Sequence, residues 1–344
     1  MAETAVVILN YNGRGYLEQF LPVLCRLTPD AQIILADNAS TDDSILYVTS
    51  HHPEVEILKI EKNLGYSGGY NYALQRVKAE YFLLVNSDIE VTQGWLSPLV
   101  QALKSDPKLA ACQPKVLDYN HRNQFEYAGA AGGMIDHLGY PFCRGRIFEE
   151  LEEDQGQYDQ TEEIFWATGA CLAIKSTVYH EMGGLDDDFF AHMEEIDLCW
   201  RIQRSGMNIS YIPESTVYHV GGGTLAKSNP QKTYLNFRNG LAMLYKNGDR
   251  PRIYLIVLIR MILDGIAAVK FLFSESSGHF TAVLRAHLYF YTHLRSLSSK
   301  RKTIAPLIKR RNENIMIYNR SIIWQYFVKG KRKYSELTKS SNTR

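Results

Sequence analysis

At 344 residues, 45% apolar and 22% charged, the chain carries material for one large or two modest folded units, which excludes disorder as its main theme. Its five cysteines, Cys25, Cys112, Cys143, Cys171 and Cys199, are odd in number and form no Cys-x-x-Cys pair, which argues against a disulfide scaffold or zinc ribbon and for a reducing compartment. The formal charge of +1 hides an asymmetry: residues 1–229 hold 16 Lys and Arg against 32 Asp and Glu, and residues 230–344 hold 22 against 5. Two units, 1–229 and 230–344, are therefore expected, the second drawn to an anionic surface such as phospholipid or nucleic acid.

Residues Met1 to Thr4 lack a basic cluster and the apolar run behind them is too short for a secretory signal, so a cytoplasmic start is expected. Val6 to Leu9, Ile33 to Ala36, Val55 to Leu58 and Tyr81 to Val85 read as strands. Tyr16, Leu17, Phe20, Leu21 and Leu24 have helical spacing, as do Tyr70, Ala73, Leu74 and Val77. Runs this apolar suit strands covered on both faces, so an α/β unit with a mostly parallel sheet is predicted. Residues 115–165, broken by Gly129, Gly132, Gly133, Gly139 and Gly145 and acidic from Glu149 to Glu163, read as a mobile, solvated insertion. Phe165 to Ile174 reads as a strand. Helices follow from Ser176 to Met182 and from Met193 to Ser205, stopped by Gly183-Gly184 and by Gly206. A last strand, Ile209 to Ile212, leads to Tyr218-His219-Val220 and the triplet Gly221 to Gly223.

From Pro230 the spacing is helical. Ile253 to Phe273 is long enough to span a bilayer, but Arg260 and Asp264 stand one turn apart and Lys270 lies within about 80° of Arg260, so the charges form one stripe. Such a helix is expected to lie in an interface rather than cross it. Phe280 to Leu297 is a second amphipathic stretch, and Lys300 to Lys302, Lys309 to Arg311 and Lys329 to Lys333 make the end basic. The alternative is a helical bundle packed on the first unit or used for homodimerisation.

Four constellations could carry chemistry. Asp37-Asn38-Ala39-Ser40-Thr41-Asp42 follows the second strand, where an acidic residue can accept a hydrogen bond from a base or ribose, or simply cap the next helix. Lys62 to Asn71 holds Gly65, Gly68 and Gly69 at a helix start, where backbone N–H groups suit a diphosphate; the segment fits neither Gly-x-Gly-x-x-Gly nor the P-loop, and a plain turn is the alternative. Asn86-Ser87-Asp88 ends a strand and offers a carboxylate to a hard divalent cation, or forms an ordinary turn. Glu194, Glu195 and Asp197 crowd a first helical turn, as capping groups or with one as a general base, and Asp197 can pair with Arg201.

In that order these segments resemble the inverting glycosyltransferases of family 2, of the GT-A fold, and within them the bacterial rhamnosyltransferase-like branch. The resemblance covers about residues 4 to 224 and begins at Val6-Val7-Ile8-Leu9-Asn10-Tyr11-Asn12-Gly13. It implies that Tyr11, Asp37 and Asn38 hold the nucleotide and that Lys62, Asn63, Gly65, Gly68, Gly69 and Asn71 line the sugar-diphosphate side. Asn86-Ser87-Asp88 resembles the family's Asp-x-Asp motif with Asn86 in first place, leaving Asp88 as the ligand for Mg2+ or Mn2+. His219 matches a histidine that completes the metal site in some members. Glu194-Glu195 stands where the family often has Glu-Asp, which makes Glu195 the expected base and Glu194 its alternative. Trp166 offers either a sugar-stacking face to the acceptor or core packing.

The implied reaction moves a hexose, rhamnose in that branch, from a nucleotide-diphosphate sugar to a hydroxyl of a saccharide acceptor in cell-surface polysaccharide synthesis. The basic unit then suits a lipid-linked acceptor at the inner face of the plasma membrane. Transfer to a polyprenyl phosphate and a non-catalytic sugar-nucleotide-binding module are the alternatives. A nucleic-acid-binding protein would leave the strand-end motifs idle, so no nucleic-acid partner is expected.

Overall fold

The structure, a computed structural model, describes residues 2–221, 228–274 and 276–338. Gly222 and Gly223 of the glycine triplet lie outside the described residues. The first half alternates as read: β1 (Ala2–Asn10), α1 (Arg14–Leu27), β2 (Gln32–Asp37), α2 (Ser44–His51), β3 (Glu56–Lys59), α3 (Gly65–Leu74) and β4 (Ala79–Asn86). Strands β3, β2, β1 and β4 lie side by side, all parallel. Side chains alternate between the two faces of these strands. Val7, Ile34 and Leu84 join Tyr70 and Leu74 of α3 in one core layer, and Val6, Ile8, Leu83 and Val85 meet Leu17 and Leu21 of α1 in the other.

The sheet continues through β5 (Ile89–Val91), α4 (Leu96–Ser105) and β6 (Leu109–Asp118). Residues 133–151 carry β7 (Gly133–Asp136), β8 (Pro141–Cys143), β9 (Arg146–Ile147) and β10 (Glu150–Leu151). Then come β11 (Glu162–Glu163), β12 (Cys171–Lys175), α5 (Ser176–Glu181), α6 (Glu194–Arg204) and β13 (Asn208–His219). β12 runs antiparallel between β4 and β6, β13 lies parallel to β6, and β5 pairs with the end of β13. The result is a mixed sheet whose central strands are mostly parallel.

Two expectations are corrected. The segment 115–165 is a solvated insertion only in its acidic part, where most of 149–163 is exposed; before it β7 to β10 join a second sheet, and Ala130, Ala131, Ile135, Phe142, Cys143 and Ile147 are buried. Gly133 is small because its backbone lies against the Trp166 ring. The predicted strand Phe165–Ile174 is confined to Cys171–Lys175.

Residues 230–338 fold as α7 (Pro230–Asn247), α8 (Arg252–Ser274), α9 (Ser277–Thr292), α10 (Leu294–Ile304), a strand β14 (Ile317–Tyr318) and α11 (Tyr334–Thr338). They pack on the α/β unit: Leu241, Met243, Leu244, Val257 and Phe290 share its core, and β14 adds to β7 in parallel. Lys246 sits between Asp186 and Asp197 at 2.5 and 3.0 Å, and Arg204 pairs with Asp249 at 2.5 Å. Lys246, with Lys300 on Asp186 and Asp188, sets positive charge of the second unit against the acidic one, whereas the Arg204–Asp249 pair runs the other way. Among the described residues no helix is long and apolar enough to cross a membrane.

Candidate active site

The ends of adjacent parallel strands are where an open α/β sheet binds ligands. Asn10 and Asp37 are register partners at the ends of β1 and β2, and Asn86 ends β4 beside Leu9. The Asn10 amide donates to Asp37 Oδ1 at 3.0 Å and to Ser40 Oγ at 3.1 Å, and the Ser40 N–H donates to Asp37 Oδ2 at 3.0 Å. Asn38 donates to Asn63 Oδ1 at 3.1 Å and to the Gly65 carbonyl at 3.0 Å, while its own oxygen accepts from the Leu64 N–H at 2.9 Å. These bonds lock the loops after β2 and before α3 into one rim. Tyr11 stands on it with half of its surface exposed, and Lys62 and Asn63 are exposed alongside.

Asp88 lies just beyond β4 and is buried. Pairing of β5 with β13 sets His219 opposite Ile89, and the Val220 N–H donates to the Asp88 carbonyl at 3.1 Å. His219 Nε2 is then 3.2 Å from Asp88 Oδ1, while Nδ1 faces Glu126 Oε1 at 3.3 Å. All three side chains are buried. Burial alone would depress the imidazole, but Glu126 and Asp88 together raise it to about 10. Burial likewise opposes ionisation of Asp88, yet His219 holds it below the usual carboxylate range. An oxygen and a nitrogen donor 3.2 Å apart suit adjacent positions on a small octahedral cation, which lie about 3.0 Å apart for bonds near 2.1 Å. A carboxylate on the far ring nitrogen is the usual means of orienting a ligating histidine. Ligation of a divalent ion requires Nε2 to give up the proton that it shares with Asp88, so Asp88 and His219 fit such an ion as a carboxylate and a neutral imidazole, with Glu126 behind them. Glu126 escaped the sequence reading because a single glutamate in an apparently solvated segment carries no signal.

Glu194 and Glu195 open α6. Glu194 is buried; Glu195 is half-buried, and neither Oε2 has a hydrogen-bond partner. Burial, reinforced by Glu195, pushes Glu194 well above the usual range, and burial pushes Glu195 up to about 7 against its helix-terminal N–H groups. The buried Cys143 thiol is raised by desolvation, with Glu126 and Glu195 adding to the shift. Asp197 does different work. It is fully buried and accepts from Arg201 at 3.0 Å, Lys246 at 3.0 Å and Asn247 at 2.8 Å, joining α6 to α7.

The loop before the pair is strained. Phe190, His192 and Met193 all have left-handed backbone, with φ of 64°, 72° and 73°, at about 1–3 kcal/mol each. Two elements hold it. The Phe190 carbonyl accepts from the Tyr66 N–H at 2.6 Å, and Gly65, itself at φ 71°, leaves the space that the Phe190 ring occupies. From α7, buried Asn239 donates to the carbonyls of Phe189, Ala191 and His192 at 3.0, 2.9 and 2.7 Å, and Arg238 donates to those of Asp188 and Phe189 at 2.8 Å. Asn239 is a positioning residue that the sequence signalled only as an amide of poor helix propensity inside a helix. Asn239→Leu is expected to lower kcat roughly 100-fold with the donor KM unchanged. A pH–rate profile checks it, because release of the loop solvates Glu195 and moves the acid limb towards an ordinary glutamate.

Other expected ligands have structural employment. Trp166, expected to face the acceptor or the core, belongs to the core: it is 3% exposed and donates to the Met134 carbonyl at 2.9 Å. Asn71 does not line the cleft with free valences. Its amide donates to the Leu185 carbonyl at 2.8 Å and to Asp187 at 2.6 Å, and its oxygen accepts from Tyr179 and from the Leu185 N–H. At Gly69 a Cβ would strike Leu9, so this glycine sets the close packing of α3 on β1, and at Gly68 it would strike Leu64 at the start of α3. Asn86 contributes its backbone N–H to the Ala170 carbonyl at 2.9 Å.

Comparisons with known proteins bear on the family and the fold. The model of the family described as Glycosyl transferase family 2 matches residues 5–183. The chain is 26% identical over 231 residues to an N-acetylglucosaminyl-diphospho-decaprenol L-rhamnosyltransferase of Mycobacterium tuberculosis, spanning 62% of this chain and 75% of that protein. It is 22% identical over 282 residues to the low-salt glycan biosynthesis hexosyltransferase Agl10 of Haloferax volcanii, spanning 79% and 86%. Among solved structures, GalNAc-T7 with UDP, GalNAc and Mn2+ superposes with a TM-score of 0.59 at 16% identity, over 87% of this chain and 58% of that one. Residues 1–349 of S. aureus TarS superpose with a TM-score of 0.52 at 14% identity, over 88% of each chain. These two likenesses establish a shared GT-A-like fold. With the family model covering just over half of its length, the chain belongs to glycosyl transferase family 2.

Proposed function

We propose that this glycosyltransferase transfers a hexose from a nucleotide-diphosphate sugar to a hydroxyl of a saccharide acceptor, with inversion at the anomeric carbon. Tyr11, Asp37 and Asn38 hold the nucleotide at the strand ends, and Lys62 and Asn63 stand beside the diphosphate. Asp88 and His219 hold Mg2+ or Mn2+, whose chemistry there is to neutralise charge on the departing diphosphate. Glu195 accepts the proton of the attacking hydroxyl as that oxygen bonds to the anomeric carbon and the bond to the diphosphate breaks on the opposite face. Glu194, more deeply buried and held protonated, is the poorer base.

The observation that carries this reading is the state of Glu195: half-buried, unpartnered at Oε2 and poised near neutrality, as a general base working at pH 7 requires. The mycobacterial relative makes rhamnose the first sugar to test and a lipid-linked saccharide, met at the inner face of the plasma membrane, the first acceptor. A panel of sugar nucleotides with MnCl2 tests the donor, since a ligand at 100 times its Kd stabilises by about 2.7 kcal/mol. The anomeric configuration of the product by NMR tests inversion, and a retained configuration overturns it.

A further inference from the structure

Helix α8 is turned inside out. The Arg260–Asp264–Lys270 stripe of an interfacial helix would face water, yet Arg260 and Asp264 are buried against the protein. They pair at 3.0 Å, the guanidinium lies 3.5 Å from the centre of the Tyr140 ring, and the Tyr140 hydroxyl donates to Asp264 at 2.9 Å. The outward side is apolar instead. Leu255, Leu258, Ile262, Ile266, Val269 and Phe273 are all exposed, within a stripe about 80° wide when the helix is wound at 100° per residue. Helix α9 extends it with Leu284, Leu288 and Tyr291 at i, i+4 and i+7. In the last turns of α8, Lys270 Nζ lies 5.4 Å from the centre of the Phe327 ring, which brings exposed Phe327, with its exposed neighbours Trp324 and Val328, to that end of the helix.

We infer that this face docks on an anionic lipid bilayer, with α8 lying flat in the headgroup region. Soluble surfaces rarely leave so contiguous an apolar area uncovered. The charges that border it select the occupant. The exposed charged residues of α8 are Arg252 and Lys270, both basic and about 27 Å apart along the axis, and among the described residues of α8 and α9 the only acidic side chain, Asp264, is buried. Basic side chains at the ends of an apolar stripe, with Trp and Phe at its margin, match the boundary between acyl chains and phosphate headgroups. A second copy of the chain would instead oppose Arg252 and Lys270 to one another without an acidic partner. The inference deepens the lipid-linked acceptor of the proposed function, but its test needs neither donor nor acceptor.

Trp324 supplies a reporter, because Trp95, Trp166 and Trp200 are buried. The full chain is mixed with vesicles of phosphatidylglycerol and phosphatidylcholine brominated in the acyl chains. The expected results are flotation with the vesicles and quenching of Trp324 fluorescence, both weakened at least tenfold by the double substitution Ile262→Glu, Ile266→Glu with an unchanged melting temperature. Ile266→Ser, which removes apolar surface without adding charge, is expected to give a smaller loss in the same direction and serves if the double variant fails to fold. Equal binding to purely neutral vesicles, no binding at all, or a dimer in light scattering that these substitutions dissociate would overturn the inference. Loss of binding with transfer to a soluble acceptor intact separates the docking face from the transferase reading.

Discussion

Glu195→Gln is expected to lower kcat by about 10² to 10⁴-fold while the donor binds as before, the usual contribution of a general base. The substitution keeps shape and volume and removes only the ability to ionise. In the wild-type enzyme the rate is expected to rise with pH through about 7, because burial raises Glu195 to that value and only the carboxylate accepts the acceptor's proton. In Glu195→Gln that limb disappears. Stability moves the other way, and its sign follows from the same shift. A carboxyl raised in the folded state contributes stability that is complete below its unfolded value near 4.5 and is lost as pH rises through about 7. At pH 8 the wild type carries this penalty and the amide does not. The variant is therefore expected to be more stable at pH 8, by up to roughly 3 kcal/mol at about 1.4 kcal/mol per pH unit, and no more stable at pH 4. Thermal melts at the two pH values check the stability, and steady-state rates across pH check the base. A variant as active as the wild type would move the role to Glu194.

The parts of this site that were legible in the sequence are local. Strands β1, β2 and β4 announced themselves as apolar runs, and the polar residues just after them, Asp37 and Asp88, had to fall at one edge of a parallel sheet. Glu194 and Glu195 were visible as a carboxylate pair at a helix start. What stayed hidden depends on contacts between distant segments. Glu126 reaches His219 because its N–H bonds the Val116 carbonyl of β6, the strand beside β13, and no periodicity marks strands as short as β9 and β10. Asn239 clamps a loop 47 to 50 residues before it. The Arg260–Asp264 stripe was read correctly as a stripe, but helical spacing cannot say which side of an amphipathic helix meets the protein. Here Tyr140 and the carbonyls of Leu138 and Gly139 supply partners for the charges, so the polar side turned inward. Asn71 and Gly69 have structural contacts that the spacing did not show: a residue type that can approach a phosphate closely is also the type that lets a helix approach a strand.

Substitutions along the Asp88–His219–Glu126 chain are expected to fall into two classes. Asp88→Ala removes a direct oxygen ligand and is expected to abolish both Mn2+ binding and the stimulation of transfer by added divalent cation, with turnover falling at least about 10²-fold as charge on the leaving diphosphate loses its counter-ion. Glu126→Gln keeps both ligands and changes only what faces the far nitrogen of His219. Loss of such an orienting carboxylate typically weakens metal affinity by about 10 to 100-fold, so activity is expected to return at high Mn2+. Electron paramagnetic resonance titration of Mn2+ into each variant, with and without nucleoside diphosphate, separates the classes independently of turnover. Recovery of Asp88→Ala at high Mn2+ would remove Asp88 from direct ligation. A Glu126→Gln titration indistinguishable from wild type would mean that the imidazole is oriented by β13 alone, through the pairing that sets His219 opposite Ile89.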